Sequence, residues 1–498
     1  MRDKILVFFI AWTTILGITS YIIQSLGLWL VATLFLVGLI VVIHDIFQTQ
    51  HALLRNYPLI ARLRWFFEDE RSKIQQYFIE HDTNGTPYNR EKRSDVYQKS
   101  KGEINTTPFG TQLNVYKEGY EFLGHSMYPK DISLIAEPRV TIGGPDCKLP
   151  YSASIFNISA MSFGALSDAA VRALNGGAKL GNFYHNTGEG GVSPYHVENG
   201  GDLCFQIGTG YFGAGKTVDG KRMFSTPRFF DTILHNKSIK MVEIKLSQGA
   251  KPGHGGILPA SKNTQEIADI RGVEPHVDVM SPPYHTAFTN NKELLEFITE
   301  LRDLSNGLPI GIKLCLGDES EFHSLCFHMK ALKIYPDFIT IDGGEGGTGA
   351  APIVFTNNIG MPLVDALIFV NQTLIKYDLR DKITLIASGK ASNSFDIIKL
   401  LALGADIVNA ARAFMLSLGC IQARECNKNT CPVGIATQNK NLISGLNPEE
   451  KKVRVFNYHK AVIHEIREVL GAMGLVSVKE LTPTSIIYRK NDGSLKNY

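Results

Sequence analysis

Phe338-Ile-Thr-Ile-Asp-Gly-Gly-Glu-Gly-Gly-Thr-Gly349 sets a short apolar, β-branched run directly against a glycine loop broken only by Glu345 and Thr348. The run Phe338–Ile341 reads as a buried strand. The loop that follows lets backbone N–H groups at Gly344, Gly346 and Gly347 sit against a phosphate or a flat ring. A flexible solvent loop is the plainer alternative, and it fits poorly directly after a core strand. Working outward, the same unit recurs. Strands are expected at Ser154–Ala160, Ala178–His185, Cys204–Gly208, Met241–Leu246, Ile310–Leu314, Phe338–Ile341, Ile383–Ala387 and Asp406–Ala410. Helical patterns fall between them at Asp168–Gly176, Lys292–Asn306, Glu319–Ile334, Met361–Tyr377 and Ser394–Leu403. Strands alternating with helices in this number predict an α/β fold, a parallel (β/α)8 TIM barrel, with a doubly wound open sheet as the alternative. In a barrel the loops after the strands build the site. Here those loops are the glycine-rich ones, at 162–166, 187–191, 249–256, 343–349 and 389.

Composition bounds the rest. The 498 residues are 44% hydrophobic and 20% charged, values of a folded protein. A net charge of +3, with no basic stripe carrying interleaved aromatics, gives no reason to invoke nucleic acid. Seven cysteines without an even-spaced framework argue against a disulfide scaffold and for a reducing compartment.

Ile5 to Ile43 carries no charged side chain. One helix of that length would run about 58 Å against a hydrocarbon core of about 30 Å, so two spans joined at Gln24-Ser25 are expected, Ile5–Ile23 and Leu26–Ile43. A signal peptide is the competing reading, but the apolar run is too long for one. Arg2 and Lys4 precede the first span, and Arg55, Arg62, Arg64 and Arg71 follow the second. The positive-inside rule then puts both flanks in the cytoplasm, giving a two-span cell-membrane protein with a cytoplasmic catalytic domain. The expected division is 1–47 for the two transmembrane helices and 48–150 for a connector. Residues 151–415 form the barrel and 416–498 a cysteine loop with a helical tail. Asp82-Thr-Asn-Gly-Thr-Pro87 is a turn signal inside the connector.

Cys420, Cys426 and Cys431, the last followed by proline, set three thiols on one loop, a soft ligand set that suits an iron–sulfur cluster or zinc. Tetrahedral zinc wants a fourth ligand, and no Cys or His lies between 432 and 458. Gly208-Thr-Gly-Tyr-Phe-Gly213 matches the dinucleotide pattern but starts no helix and lacks the acidic residue for the ribose, so electrons are expected from a protein donor. No G-x-S-x-G elbow is present, and His254, His276 and His285 match no metal spacing.

Six motifs occur in order: Ser159-Ala-Met-Ser-Phe-Gly-Ala-Leu-Ser167, Thr187-Gly-Glu-Gly-Gly191, Glu243-Ile-Lys-Leu-Ser-Gln-Gly-Ala-Lys-Pro-Gly253, Ser281-Pro-Pro-Tyr-His285, Gly343-Gly-Glu-Gly-Gly-Thr-Gly-Ala-Ala-Pro352 and Cys431-Pro-Val-Gly-Ile-Ala-Thr-Gln438. Together they resemble the FMN-binding synthase domain of the glutamate synthase family and its adjoining iron–sulfur loop, with a helical tail such as Tyr458–Met473 behind it.

The resemblance implies FMN at the barrel mouth and a 3Fe-4S cluster on the three cysteines. It also implies reductive amination of 2-oxoglutarate by ammonia, with reduced FMN as hydride donor. Met161, Ser162 and Gln206 would touch the flavin, and Lys313 would lie near the edge that becomes negative on reduction. Ser388, Gly389, Lys390, Ala411 and Arg412 would meet the phosphate, although Lys390 and Arg412 stand where the family has small residues. Gln248, Lys251 and Arg271 would hold the keto-acid carboxylates. Glu189 would lie near flavin and cluster, and His254 replaces an acidic residue of the family pattern. No cysteine precedes Cys147, so glutaminase chemistry is not expected and ammonia would come free or from a separate amidotransferase. The electron donor would be ferredoxin-like or membrane-bound. Two other readings stand beside this one: a glutamate N-methyltransferase-type subunit of the same family, and a membrane flavin/iron–sulfur electron-transfer protein.

Overall fold

The computed structural model describes residues 2–103 and 106–498, in two compact units, Met1–Gly85 and Thr86–Tyr498. The boundary falls in the turn predicted at Asp82–Pro87. In the first unit, α1 (Arg2–Ile23) and α2 (Leu26–Phe47) are 22-residue helices that pack on each other and are apolar enough to cross a membrane. Gln24, in a left-handed conformation, and Ser25 make the reversal between them. Next come α3 (Ala52–Asn56) and α4 (Arg62–Ile74), the latter continuing through a wider turn at Gln75–Ile79.

The second unit is the expected closed parallel barrel: β1 (Phe156–Ile158), β2 (His185–Asn186), β3 (Leu203–Ile207), β4 (Ile239–Lys245), β5 (Ile310–Leu314), β6 (Phe338–Asp342), β7 (Thr384–Ser388) and β8 (Ile407–Ala410). Each strand pairs with the next, and β8 closes on β1 through Val408 opposite Phe156. The crossover helices follow the predicted patterns closely: Asn291–Leu304, Glu319–Leu332, Leu363–Lys376 and Ser394–Ala402. Two expected strands are shorter than their patterns: of Ser154–Ala160 only Phe156–Ile158 joins the barrel, Ser154 ending the hairpin strand Tyr151–Ser154, and Ala178–His185 loses its first half to a helix. Ala178–Gly181 continues the helix Asp168–Gly181, which Ser167 caps by accepting from the Ala170 N–H. Asn182, at φ 51°, ends that helix in the left-handed region, and only His185-Asn186 is left to pair.

Period-2 alternation then sorts the barrel interior by height. At the lower end Tyr184, Cys204, Met241, Phe338, Ile386 and Ile407 form a sealed apolar layer. Phe338 fills its middle because Gly311 on the neighbouring strand has no Cβ; one there would lie 2.4 Å from the ring. The hairpin Arg139–Ile142 with Tyr151–Ser154 packs into the same layer. Two residues further up each strand the interior turns polar. Glu243, fully buried, accepts from Asn186 Nδ2 (2.8 Å), Gln206 Nε2 (2.6 Å) and Thr340 Oγ1 (2.7 Å), tying four strands together. A barrel with an apolar floor and polar upper layers has one usable end, where the strands terminate.

The C-terminal helix Pro448–Ala472 packs along Asp168–Gly181 and Arg90–Lys101. Beyond it Ile486–Arg489 pairs antiparallel with Glu121–Leu123, and Tyr498 Oη donates to Glu121 Oε1. Within the long helix His459 is buried, stacked on Phe183 at 4.0 Å and bonded through Nε2 to the Ser154 hydroxyl at 3.0 Å. Burial pushes its pKa down to about 3 from an ordinary 6.5. Between those values the unfolded chain binds the proton and the folded chain does not, so stability falls as pH drops below 6.5. At pH 5 this one residue removes about 2 kcal/mol, at 1.36 kcal/mol per pH unit. Urea midpoints measured from pH 7 to 5 are expected to decline, and less steeply in His459→Phe.

Candidate functional site

The open end of the barrel gathers the side chains at the strand ends and the glycine loops above them. Lys313, at the end of β5, is buried, with Nζ 3.5 Å from Asp342 Oδ2 on β6. Burial alone would lower its pKa, but Asp342, Glu243 and Glu189 outweigh that and hold the ammonium charged above its usual range. Asp342 also accepts from the Gly249 N–H at 2.9 Å, which docks the loop after β4 on the loop after β6. The approach is so close that a Cβ on Gly249 would sit 1.8 Å from the Gly343 carbonyl oxygen. Met161 is buried, Ser388 Oγ lies 3.2 Å from Ser159 Oγ, and the Ser388 carbonyl accepts from the Gly343 N–H.

On the β4 side a cleft is lined by Glu189, Thr209, Lys245, Gln248, His254 and Pro282. Lys245 Nζ bridges Glu189 Oε1 (2.9 Å) and Gln248 Oε1 (3.0 Å), and Gln248 Nε2 donates to the Gly347 carbonyl (2.8 Å). Lys251 and Arg271 lie near enough to bear on the same carboxyl. Against the raising effect of burial, Lys245, Lys251 and Arg271 together keep the Glu189 carboxyl below its usual range. Burial lowers the pKa of Lys251 and brings Arg271 down to about 10, with Glu189 opposing it in both. Arg271 stacks on Phe212 at 5.0 Å and donates Nη2 to the Phe163 carbonyl at 3.0 Å. Its Nε has no partner among the described residues. The sequence-derived group Glu189, Gln248, Lys251 and Arg271 is thus brought to one place.

Lys245 and Glu243 were quoted in the sequence motif without a role. The usable signal was their spacing: 243 and 245 share a strand face with Met241, which puts both in the barrel interior. His285 also belongs here as a support. Its Nε2 donates to the Lys245 carbonyl (2.9 Å) and its Nδ1 accepts from Tyr211 Oη (3.0 Å), so both ring nitrogens are used and burial lowers its pKa to about 4. His254 sits at the cleft edge with its ring 5.4 Å from Phe355.

At the ends of β7 and β8, Lys390 and Arg412 face each other as like charges. Burial lowers the Lys390 pKa, Arg412 lowers it further, and Glu345 opposes both. Neither cation has a carboxylate within ion-pair distance among the described residues, and Arg412 instead donates to the Glu345 carbonyl (3.2 Å) and lies over the Tyr88 ring (5.2 Å).

The cysteine loop docks beneath the loop after β1. Ser167 N–H donates to the Ile435 carbonyl, Ser167 Oγ to Gly434, and Gln438 Nε2 to Gly164 and Leu166. Burial pushes the Cys420 thiol up to about 12, and Cys426 and Cys431 push it in the same direction; burial and Cys431 likewise raise Cys426. The three thiols therefore feel one another. Among the described residues, however, no three His, Cys, Asp or Glu side chains are drawn together tightly enough to hold a metal as they stand. Lys262 runs into this loop with its side chain buried, donating Nζ to the carbonyls of Cys426 (2.7 Å), Ala436 (2.8 Å) and Ala165 (3.4 Å). No carboxylate pairs with it among the described residues. Burial lowers its pKa, and the Cys426 and Cys431 sulfurs oppose that. Sequence reading passed over Lys262, which carries no motif of its own.

Residues 142–476 match the family model described as the conserved region in glutamate synthase. The chain is 37% identical to the glutamate synthase large subunit-like protein YerD of Bacillus subtilis, covering 91% of this chain and 93% of that one. It is 33% identical to an archaeal-type glutamate synthase (NADPH) of Thermotoga sp. and 34% identical to the archaeal glutamate synthase (NADPH) of Methanocaldococcus jannaschii. Each match spans 65% of this chain and 60% of the relative. Among solved structures, a flavocytochrome b2 variant with sulfite bound aligns over 85% of each chain, at 13% identity and a TM-score of 0.44.

Proposed function

The chain belongs to the glutamate synthase family, and from that premise we propose that it is a glutamate synthase-type oxidoreductase, reductively aminating a dicarboxylic 2-keto acid of the 2-oxoglutarate class with ammonia. One observation carries the reading. Lys245 lines the cleft beside the single carboxylate of Glu189, and the buried cations Lys251 and Arg271 lie near enough to act on that same carboxylate. The unbalanced positive charge, with Gln248 beside it, matches a dianion with two carboxylates, and Arg271 offers its unused Nε to one of them.

The residues at the mouth fit FMN. Lys390 and Arg412, like charges without a carboxylate, suit its phosphate beside the backbone of Ser388, Gly389 and Ala411. Met161, Ser162, Gln206 and the Gly344, Gly346 and Gly347 backbone would hold the ring. Bound and reduced, FMN supplies the hydride. Lys313 would place a fixed positive charge beside the ring in a site shielded from water, stabilising negative charge there. Glu189, kept ionised by its three cations, would hold Lys245 toward the substrate carboxylate.

The three thiols of Cys420, Cys426 and Cys431 fit a three-cysteine 3Fe-4S cluster in donor type and number. The buried Lys262 side chain at the loop, with no carboxylate partner among the described residues, favours an anionic group there. Such a cluster supplies one-electron transfer from a protein donor, ferredoxin-like or membrane-bound. Ammonia would arrive free or from a separate amidotransferase. We place α1 and α2 as two membrane spans, with residues 48–150 as connector, 151–415 as the catalytic barrel in the cytoplasm and 416–498 as cluster loop and tail.

The test is anaerobic. Photoreduced protein mixed with 2-oxoglutarate and ammonium is expected to reoxidise its flavin and yield L-glutamate. Formation of N-methylglutamate and ammonia from methylamine and glutamate, with no net change in the flavin, would replace this reading with a transferase. No response to either pair, with a response to an artificial acceptor, would leave an electron-transfer protein.

A further inference from the structure

The apolar residues beyond the second span do not taper off. In α4 and its continuation, Leu63, Phe66, Phe67, Ile74 and Phe78 recur at helical spacing along one side. Leu63, Phe66 and Phe67 are more than half exposed and Phe78 is 85% exposed. Arg71, Arg64 and Glu68 flank that stripe along one edge, with Arg64 bridging Glu68 at 3.0 Å. The one carboxylate within the apolar stripe, Glu70, is paired with Lys73 at 2.7 Å.

The start of this helix is tied to the end of α2. Asp45, in the last turn of α2, is fully buried. It accepts from Leu59 N–H at 3.0 Å and from both Nε (3.1 Å) and Nη2 (2.5 Å) of Arg62, the first residue of α4. Gln48 laces the same corner by donating to the Asp45 and His51 carbonyls, and the His51 ring packs on Trp65 at 5.1 Å. A helix of 22 residues is about 33 Å long, close to a hydrocarbon core of about 30 Å, so the end of α2 lies at headgroup level if α2 spans. The Asp45–Arg62 knot then fixes the beginning of α4 at that same depth.

We propose that α4 and its continuation to Ile79 lie in the interface of the membrane that α1 and α2 cross. Leu63, Phe66, Phe67, Ile74 and Phe78 face the acyl chains, and the flanking Arg64, Arg71 and Lys73 lie among the phosphates of the lipid headgroups. This rests on the reading of α1 and α2 as spans. The occupant of the apolar side is lipid because the side continues directly from the hairpin and is rimmed by arginine and lysine, the residues that interfacial helices offer to anionic headgroups. The three native tryptophans, at 12, 29 and 65, make the depth measurable.

The full chain carrying Trp12→Phe, Trp29→Phe, Trp65→Phe and Phe67→Trp is reconstituted in phosphatidylcholine/phosphatidylglycerol vesicles with lipids brominated either near the headgroup or near the bilayer centre. The shallow label is expected to quench the single tryptophan roughly threefold more than the deep one, with blue-shifted emission. Phe78→Trp in the same background repeats the measurement further along the helix. Unquenched blue emission would overturn the proposal in favour of a protein cover, a second copy included, and unquenched red emission would overturn it in favour of water. In a companion protein with only Trp29→Phe and Trp65→Phe, Trp12 reports on the hairpin. If the deep bromines quench the Trp12 emission while position 67 stays unquenched, the interfacial helix fails and the spans stand. If neither is quenched, both fail.

Discussion

Lys313→Met is expected to slow reduction of bound FMN by about 10²–10³-fold while leaving FMN affinity within tenfold, the scale seen when one preorganised stabilising group is removed from a shielded site. The lysine is placed for this by burial and by the carboxylates of Asp342 and Glu243 on the two neighbouring strands and of Glu189 in the loop after β2, which keep its charge on where desolvation would remove it. A flavin gains negative charge on reduction, so a fixed cation stabilises the reduced ring more than the oxidised one. Binding draws on many backbone contacts and is shared. Stopped-flow reduction set against fluorescence titration separates the two effects. Equal losses in both would remove Lys313 from the flavin edge. The substitution also strips Asp342 and Glu243 of their cation, so a thermal melt of each protein belongs with the experiment; methionine preserves the volume of the side chain.

Cys426→Ser is expected to abolish the iron–sulfur signal in low-temperature EPR and to leave most of the FMN bound. The thiolate is the soft ligand a cluster requires, and a serine hydroxyl does not replace it. The loop itself should stay docked. Lys262 grips the Cys426 carbonyl rather than its sulfur, and Ser167 and Gln438 hold the far side of the loop through backbone atoms. A signal of undiminished strength would end the assignment of Cys426 as a ligand.

Strand ends and the glycine loops after them were legible in the sequence because a buried parallel strand is a short apolar run, and its loop announces itself with residues that need no Cβ. The interior network was not. Glu243, Lys245 and Asp342 look like ordinary strand-end charges until the sheet closes and turns their face inward, and closure is a property of all the strands together. Lys262 was hidden for a related reason: its partners are carbonyls at 165, 426 and 436, and backbone acceptors leave no mark in composition. The overlong strand expected at Ala178–His185 shows the opposite failure. Alanine, lysine and leucine at 178–180 favour a helix as readily as a strand, and the stop signal is Asn182, whose left-handed backbone becomes informative only in place.

Glu121 meets Tyr498 across 377 positions, within the small sheet that joins Glu121–Leu123 to Ile486–Arg489. At about 5–20 residues per second on the ribosome, roughly 20–75 s pass between the synthesis of the two partners. Throughout that interval the short strand at 121–123 has its backbone groups open and the barrel can close without it. Pairing with 486–489 therefore completes this unit only after its strands have all been made.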